Sequence, residues 1–194
     1  MENKEDYRKC QTRKALFDTI FRLLEDYQID ELSVVDICRE ANIHRTTFYS
    51  HFEDKYHLVY SAFQELRQNL FDGFTERSKH LSLIELARLT AGITFEYVQK
   101  HYIRVCRIFA TNKNNAVQEI LRKVVERSIN DMLLYYKAKV EYRLPISVIS
   151  GFLAGGFINL GMMYFGNSHM KINKQELTHY IDIILEEGLY IPEQ

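Results

Sequence analysis

Apolar residues recur at helical spacing along most of the chain. Leu16, Ile20, Leu23, Leu24 and Tyr27 fall three or four apart and predict one buried stripe on a helix from about Arg8 to Tyr27. The same period runs through 55–74 with Leu58, Val59, Ala62, Phe63, Leu66, Leu70 and Phe71. It returns in 116–140 with Val117, Ile120, Leu121, Val124, Ile129, Met132, Leu133 and Tyr136. Shorter helices are predicted over 82–100 and 102–110, and a last one up to Glu187 with Leu177, Tyr180, Ile181, Ile184 and Leu185. Ser82 with Glu85, and Asn173 with Glu176, are spaced to cap two of them. Strand-like alternation bounded by turn pairs is absent, and two prolines in 194 residues leave long uninterrupted runs. The pattern predicts an all-α chain of about nine helices.

One run departs from the amphipathic pattern. Residues 144–170 carry no formal charge, and Pro145 suits the first turn of a helix there. The run is long enough to cross a bilayer. Asn159, its serines and glycines, and the helical character of the rest of the chain favour a helix buried on two sides instead. One side would face its own core and the other a partner chain, with Gly151, Ala154, Gly155 and Gly161 allowing close approach.

Residues 33–58, SVVDICREANIHRTTFYSHFEDKYHL, carry the clearest chemistry. Ser33 is a good N-cap, and Asp36 places negative charge in the first turn of a short helix with Val35, Ile37, Cys38 and Ala41 on its apolar side. Asn42 tolerates the left-handed backbone that a sharp turn needs. A second short helix follows over about 44–50. Phe48 and Phe52 are spaced to enter the core, leaving Arg45, Thr46, Tyr49 and His51 outside. Asp54 can cap a third helix beginning at Lys55. This is the layout of a helix-turn-helix, whose second helix offers short polar and basic side chains to a major groove.

The run TFYSHFEDKYHL, following a Ser-capped helix, resembles the signature of TetR/AcrR-type transcriptional regulators. Tyr49, His51, Phe52 and Lys55 stand at the spacing of that signature, over roughly residues 10–60. The family often has Gly in the turn where this chain has Asn42. The resemblance implies a helix-turn-helix DNA-binding domain over 1–55, with a helix from Lys55 as link. It implies a helical effector-binding and dimerisation domain over 56–194. The function implied is that of a regulator, a repressor, that binds a palindromic operator in double-stranded DNA as a homodimer joined through the last two long helices. A small-molecule effector of unidentified structure would control it. By position in the motif, Arg45, Thr46 and Thr47 would read bases or hold phosphates. Tyr49 and His51 would contact the backbone, and Lys55 would pair with a phosphate. Ser33 and Val34 would meet the backbone, and His44 would either cap its helix or touch DNA. A DNA-binding scaffold that does not regulate transcription is the alternative.

Charge refines this picture without deciding it. The net charge is −1, and residues 1–57 hold nine Lys/Arg against twelve Asp/Glu. Arg8, Lys9, Arg13 and Lys14 nevertheless cluster in 7–17 without an acid between them, where they could reach the DNA backbone. Cys10, Cys38 and Cys106 fit no zinc or CxxC spacing and read as reduced thiols of a cytoplasmic protein; the charged N-terminus lacks a secretory core. An enzyme would have to use His101, Cys106 and Glu96, and no oxyanion loop, phosphate loop or metal motif accompanies them. No cofactor, metal or membrane partner is expected. Aromatic residues such as Phe95, Tyr97, Tyr102, Phe109, Tyr135, Phe152, Phe157 and Met163 could line an effector pocket or simply fill the core.

Overall fold

The helical periods of the sequence appear as helices, with capping residues setting their ends. The computed structural model describes residues 4–71, 80–166, 173–184 and 190–191. Among these residues the chain runs α1 (Lys4–Asp26), α2 (Val34–Ala41), α3 (Arg45–Tyr49), α4 (Lys55–Phe71), α5 (Leu83–Lys100), α6 (Tyr102–Thr111), α7 (Ala116–Tyr136), α8 (Ile146–Gly166) and α9 (Lys174–Ile183). The fold is all-α. Two short strands, β1 (Glu141–Tyr142) and β2 (Tyr190–Ile191), pair antiparallel with Glu141 opposite Ile191.

The chain divides into two compact units. The first comprises Met1–Glu65 with Cys106–Leu121, and the second Leu66–Val105 with Arg122–Gln194. In the first unit Leu16, Ile20, Leu23 and Leu24 of α1 are buried, as their spacing predicts, and Phe17 joins them. Tyr27 does not: it lies one residue past the end of α1 and is 51% exposed. Phe48 and Phe52 are buried, with ring centroids 5.8 Å apart, and Phe52 meets Phe17 at 5.7 Å. Each fully buried ring of this kind contributes about 1.5–3 kcal/mol relative to exposure. Leu58, Val59, Ala62 and Phe63 give α4 its buried face here, and Phe21 packs edge-on against Phe63.

In the second unit Leu83, Ile129, Leu133, Tyr136, Ile149, Leu153 and Ala154 form the core. Ser82 and Glu85 make a reciprocal capping box at α5, and α9 packs on α5. Asn173 and Glu176 cap α9 the same way, each accepting the other's backbone N–H at 2.9 Å. The Tyr136 hydroxyl donates to Leu81 O at 2.7 Å, and that of Tyr142 to Leu133 O at 2.9 Å. Burial pushes the Tyr142 phenol up to about 12.

Three boundaries differ from the sequence pattern, the first being the start of α1, at Lys4 instead of about Arg8. Helix α7 stops at Tyr136 instead of Val140, because Lys137–Lys139 turn and β1 pairs with a distant strand. Pro145 precedes α8, and its carbonyl accepts the first intrahelical bonds, from Val148 N and Ile149 N. The predicted ends of the helices from Lys55 and Asn173, together with Gly73, Leu185 and Gly188, lie outside the described residues.

Helix α8 is apolar all along, and residues 146–163 have the length and hydropathy to cross a membrane. Ile149, Leu153 and Ala154 instead face the core of the second unit. The opposite side is open: Val148, Phe152 and Met163 are 51%, 71% and 45% exposed. A Cβ added at Gly155 or Gly156 would meet nothing within 4 Å.

Candidate nucleic-acid interface

Helix α2 begins where the sequence predicts. Ser33 is its N-cap: its hydroxyl accepts Asp36 N–H at 3.1 Å, and the Asp36 carboxylate accepts Ser33 N–H at 3.3 Å. The Ser33 hydroxyl also donates to that carboxylate at 2.5 Å. Hydrogen bonds from the Ser33 hydroxyl and then its N–H hold the Asp36 carboxyl below its usual range, and Arg39 at 2.8 Å adds to this. The capping box therefore occupies the Ser33 side chain. The N–H groups of Val34 and Val35 remain without intrahelical acceptors at the first turn. Val35, placed on the apolar side from its spacing, is 46% exposed, while Ile37 and Cys38 are buried.

Asn42 ends α2 with φ 54° and ψ 46°, in the left-handed region. Its N–H returns to Arg39 O and Cys38 O, and Ile43 N–H bonds Cys38 O at 2.9 Å. The chain thus reverses within two residues and starts α3. His44 stands at the α3 N-cap, but its side chain makes no capping bond. Of its two expected roles, the cap is the one the structure removes. The imidazole is exposed.

Helix α3 is one and a half turns long, and its orientation follows from Phe48. That ring is fully buried, so Arg45, Thr46 and Tyr49 on the other side are exposed, Tyr49 at 51%. The Tyr49 ring stands edge-on against Phe48 at 5.4 Å, which fixes its direction. Thr47 is half-buried, and its carbonyl accepts the Ser50 hydroxyl at 2.7 Å. His51 is half-buried with its ring tilted on Phe52 at 6.0 Å.

Lys55 opens α4 and is tied inward. Its ammonium donates to Asp30 O at 3.0 Å and Leu32 O at 2.9 Å, which leaves one of its three N–H bonds for an anion. Tyr56, which the sequence reading passed over, is 39% exposed beside it and donates to the Asp30 carboxylate at 2.6 Å. Its hydrogen bond to Asp30, then burial, raise the phenol above its usual range. Asp54 caps the helix through His57 N–H at 2.7 Å.

The basic start of α1 reaches the same region. The Arg13 guanidinium lies over the rings of Phe17 and Phe52, 5.2 and 5.5 Å from their centroids. Lys9, Arg45, Thr46, Tyr49 and Ser50 are exposed in this unit. Two short helices turned about Asn42, with polar and basic side chains outward and phenylalanines inward, form a surface suited to a DNA groove and its phosphates.

Residues 16–62 match the family model described as bacterial regulatory proteins, tetR family. Over this stretch, which is the helix-turn-helix with the helices on either side of it, the chain is similar to the TetR family. A relative, the uncharacterized HTH-type transcriptional regulator YxbF of Bacillus subtilis (strain 168), is 22% identical over 86 residues. That match spans 43% of this chain and 23% of the relative's length. Two solved TetR-fold structures cover nearly the whole chain. A TetR transcriptional regulator from Streptococcus agalactiae 2603V superposes with a TM-score of 0.54 at 20% identity, over 91% of this chain and 94% of its own. The regulator FadR from Bacillus subtilis, solved in complex with stearoyl-CoA, gives 0.59 at 15% identity, over 90% and 98%. At such identities these likenesses concern the fold, and they extend beyond the helix-turn-helix into the second unit.

The second unit carries a polar cleft among the described residues. That cleft, about 220 Å³, is lined by Lys123, Glu126, Arg127, Asn130, Ser147 and Ser150, none of them an aromatic candidate. Tyr102, Tyr135, Phe152 and Met163 are exposed at 40–71%. His101 stacks on Tyr97 at 4.5 Å. No disulfide joins Cys10, Cys38 and Cys106.

Proposed function

We propose that this protein is a TetR-type repressor that binds a palindromic operator as a homodimer and is released or retained by a small-molecule effector in its C-terminal domain. It works in the cytoplasm and catalyses no reaction. The observation that carries the reading is the outward face of α2–α3, with Arg45, Thr46 and Tyr49 exposed on a helix anchored by buried Phe48. Arg45, Thr46 and Thr47 read base edges or hold phosphates. Tyr49 and His51 hold the backbone, with the N–H groups at Val34, the exposed His44 and the remaining N–H of Lys55 beside them.

Support for the homodimer comes from α8 and α9. Val148, Phe152 and Met163 form an exposed apolar stripe with the open Gly155 and Gly156 between them, and Tyr180 and Ile183 of α9 are 47% and 43% exposed. A two-fold pairing of these helices would cover the stripe and set two reading heads on a symmetric site. The effector reading is supported by the fold it shares with FadR, whose structure holds stearoyl-CoA.

Selection of genomic fragments by the purified protein, followed by sequencing, tests this. A short palindrome enriched by the wild type and lost with Arg45→Ala, Tyr49→Ala is expected. Enrichment that survives the double substitution, or none at all by a folded dimer, would overturn it. Sites enriched far from any promoter would favour a scaffold.

A further inference from the structure

One cation of α4 is buried without a counterpart. The Nε of Arg67 is enclosed and has no hydrogen-bond partner, the one side-chain nitrogen or oxygen among the described residues in that state. A guanidinium keeps its charge at any ordinary pH and carries donors only, so it cannot relieve the mismatch by losing a proton. Burying a donor unpaired is unfavourable, and a structure that keeps one needs a reason for it. Glu65, the acid nearest in sequence, pairs with Arg13 at 3.6 Å. Gln64 shares the face of Arg67 but donates its amide to the Tyr60 hydroxyl at 2.8 Å. The other residues of that face are apolar: Phe63 is buried, and Leu70 and Phe71 are half-buried. Arg67 as a whole is half-buried, so solvent reaches the rest of it.

A fixed charge on an apolar face is a poor way to hold a fold and a good way to hold an anion. We propose that Arg67 anchors the effector, and that the effector is a small organic anion whose carboxylate or phosphate accepts Nε–H and a neighbouring Nη–H side by side. Its apolar body lies along Leu70 and Phe71. This rests on the effector-controlled regulator proposed above and names the chemical class of its effector. The planar fork matches both head groups, whereas a neutral hydroxyl meets one N–H and leaves the charge without a counterion. Helix α4 begins at Lys55, whose ammonium holds two carbonyls of the loop between α1 and α2, and it passes from the first unit into the second after Glu65. An anion on Arg67 therefore acts on the helix common to both units.

The test titrates the full-length protein with octanoate, octyl phosphate and octanol by calorimetry. The wild type should bind octanoate, octyl phosphate or both, and the stronger of the two identifies the head group; octanol should bind at least about tenfold more weakly. Arg67→Met should weaken the anion by about tenfold to a hundredfold. Arg67→Lys, which keeps the charge and loses the fork, should fall between the two. Without ligand, Arg67→Met should melt no lower than the wild type, because it removes an unpaired buried donor and keeps the apolar stem. The site is overturned by a wild type that binds neither anion, by octanol binding as tightly, by anion binding unchanged in Arg67→Met, or by a lower melting temperature of that variant, which would give the guanidinium a structural role. Binding of a genomic palindrome by the wild type is measured beside it. Palindrome binding without anion binding overturns the site alone, and anion binding by a protein that selects no DNA overturns the regulator reading and leaves the site.

Discussion

The side-chain oxygen of Asn112 accepts the backbone N–H of Ile29 at 2.9 Å, across 83 residues of sequence. Its amide nitrogen donates to Leu24 O and Ile108 O, each at 3.0 Å, and the side chain is fully buried. One asparagine thus satisfies the frayed end of α1 and of α6 together. Asn114 donates to the Asp30 carboxylate, and Arg107 pairs with Asp26 at 2.5 Å. These bonds explain why 106–121 belongs to the same unit as the helix-turn-helix. Asn112→Ala leaves a buried N–H and a buried carbonyl unpaired. It should cost about 2–4 kcal/mol in urea unfolding followed by circular dichroism. A loss below about 0.5 kcal/mol, the range of ordinary surface substitutions, would contradict the role given to it.

Lys55 holds two carbonyls of the loop between α1 and α2. Lys55→Met keeps the aliphatic stem and removes both bonds. Thermal unfolding should show a loss of about 1–3 kcal/mol in the absence of DNA. A variant with unchanged melting and reduced DNA affinity would mean that the lysine serves the phosphate alone.

The α2 cap depends on an ionised Asp36. Its carboxyl is held below its usual range, chiefly by the Ser33 hydroxyl. A lowered folded value contributes stability above the unfolded value, and that stability is lost as pH falls through the folded one. The cap is therefore intact at neutral pH and weakens only in acid, below the usual aspartate range. Ser33→Ala should cost about 1 kcal/mol at neutral pH. It should also raise the Asp36 midpoint in a carboxyl NMR titration; an unmoved midpoint would contradict the capping argument.

Phe152 is the most exposed member of the α8 stripe, at 71%. Phe152→Glu should leave the helical spectrum unchanged and convert a dimer to a monomer in sedimentation. A wild type that sediments as a monomer, or a variant that remains a dimer, would remove α8 from the interface.

Local features of this chain were readable because local chemistry decides them. Ser33, Ser82 and Asn173 cap their helices since each has an acidic partner three residues on. Asn42 takes the left-handed turn, and Phe48 and Phe52 enter the core by spacing. Features decided at long range were hidden. Asn112 sits in a polar run that looks like any solvated loop, and only its meeting with Leu24 and Ile29 makes it a buried tie. Lys55 in the motif suggests a phosphate contact, whereas nearby carbonyls take two of its bonds. The strand β1 depends on a partner nearly fifty residues later. At the interface itself Arg45, Thr46 and Tyr49 stand outward as their pattern suggests, but the placing of Arg13 over the Phe52 ring needed the packing of α1 on Phe52.

The most direct test of the central claim is the affinity of the wild type and of Arg45→Ala, Thr46→Ala for the enriched palindrome and for a scrambled duplex at one fixed salt concentration. The wild type should prefer the palindrome by about a thousandfold or more. The double variant should lose most of that preference and still bind the scrambled duplex, because its phosphate contacts remain. Equal wild-type affinity for both duplexes, or a preference untouched by the two substitutions, would contradict sequence reading by α3.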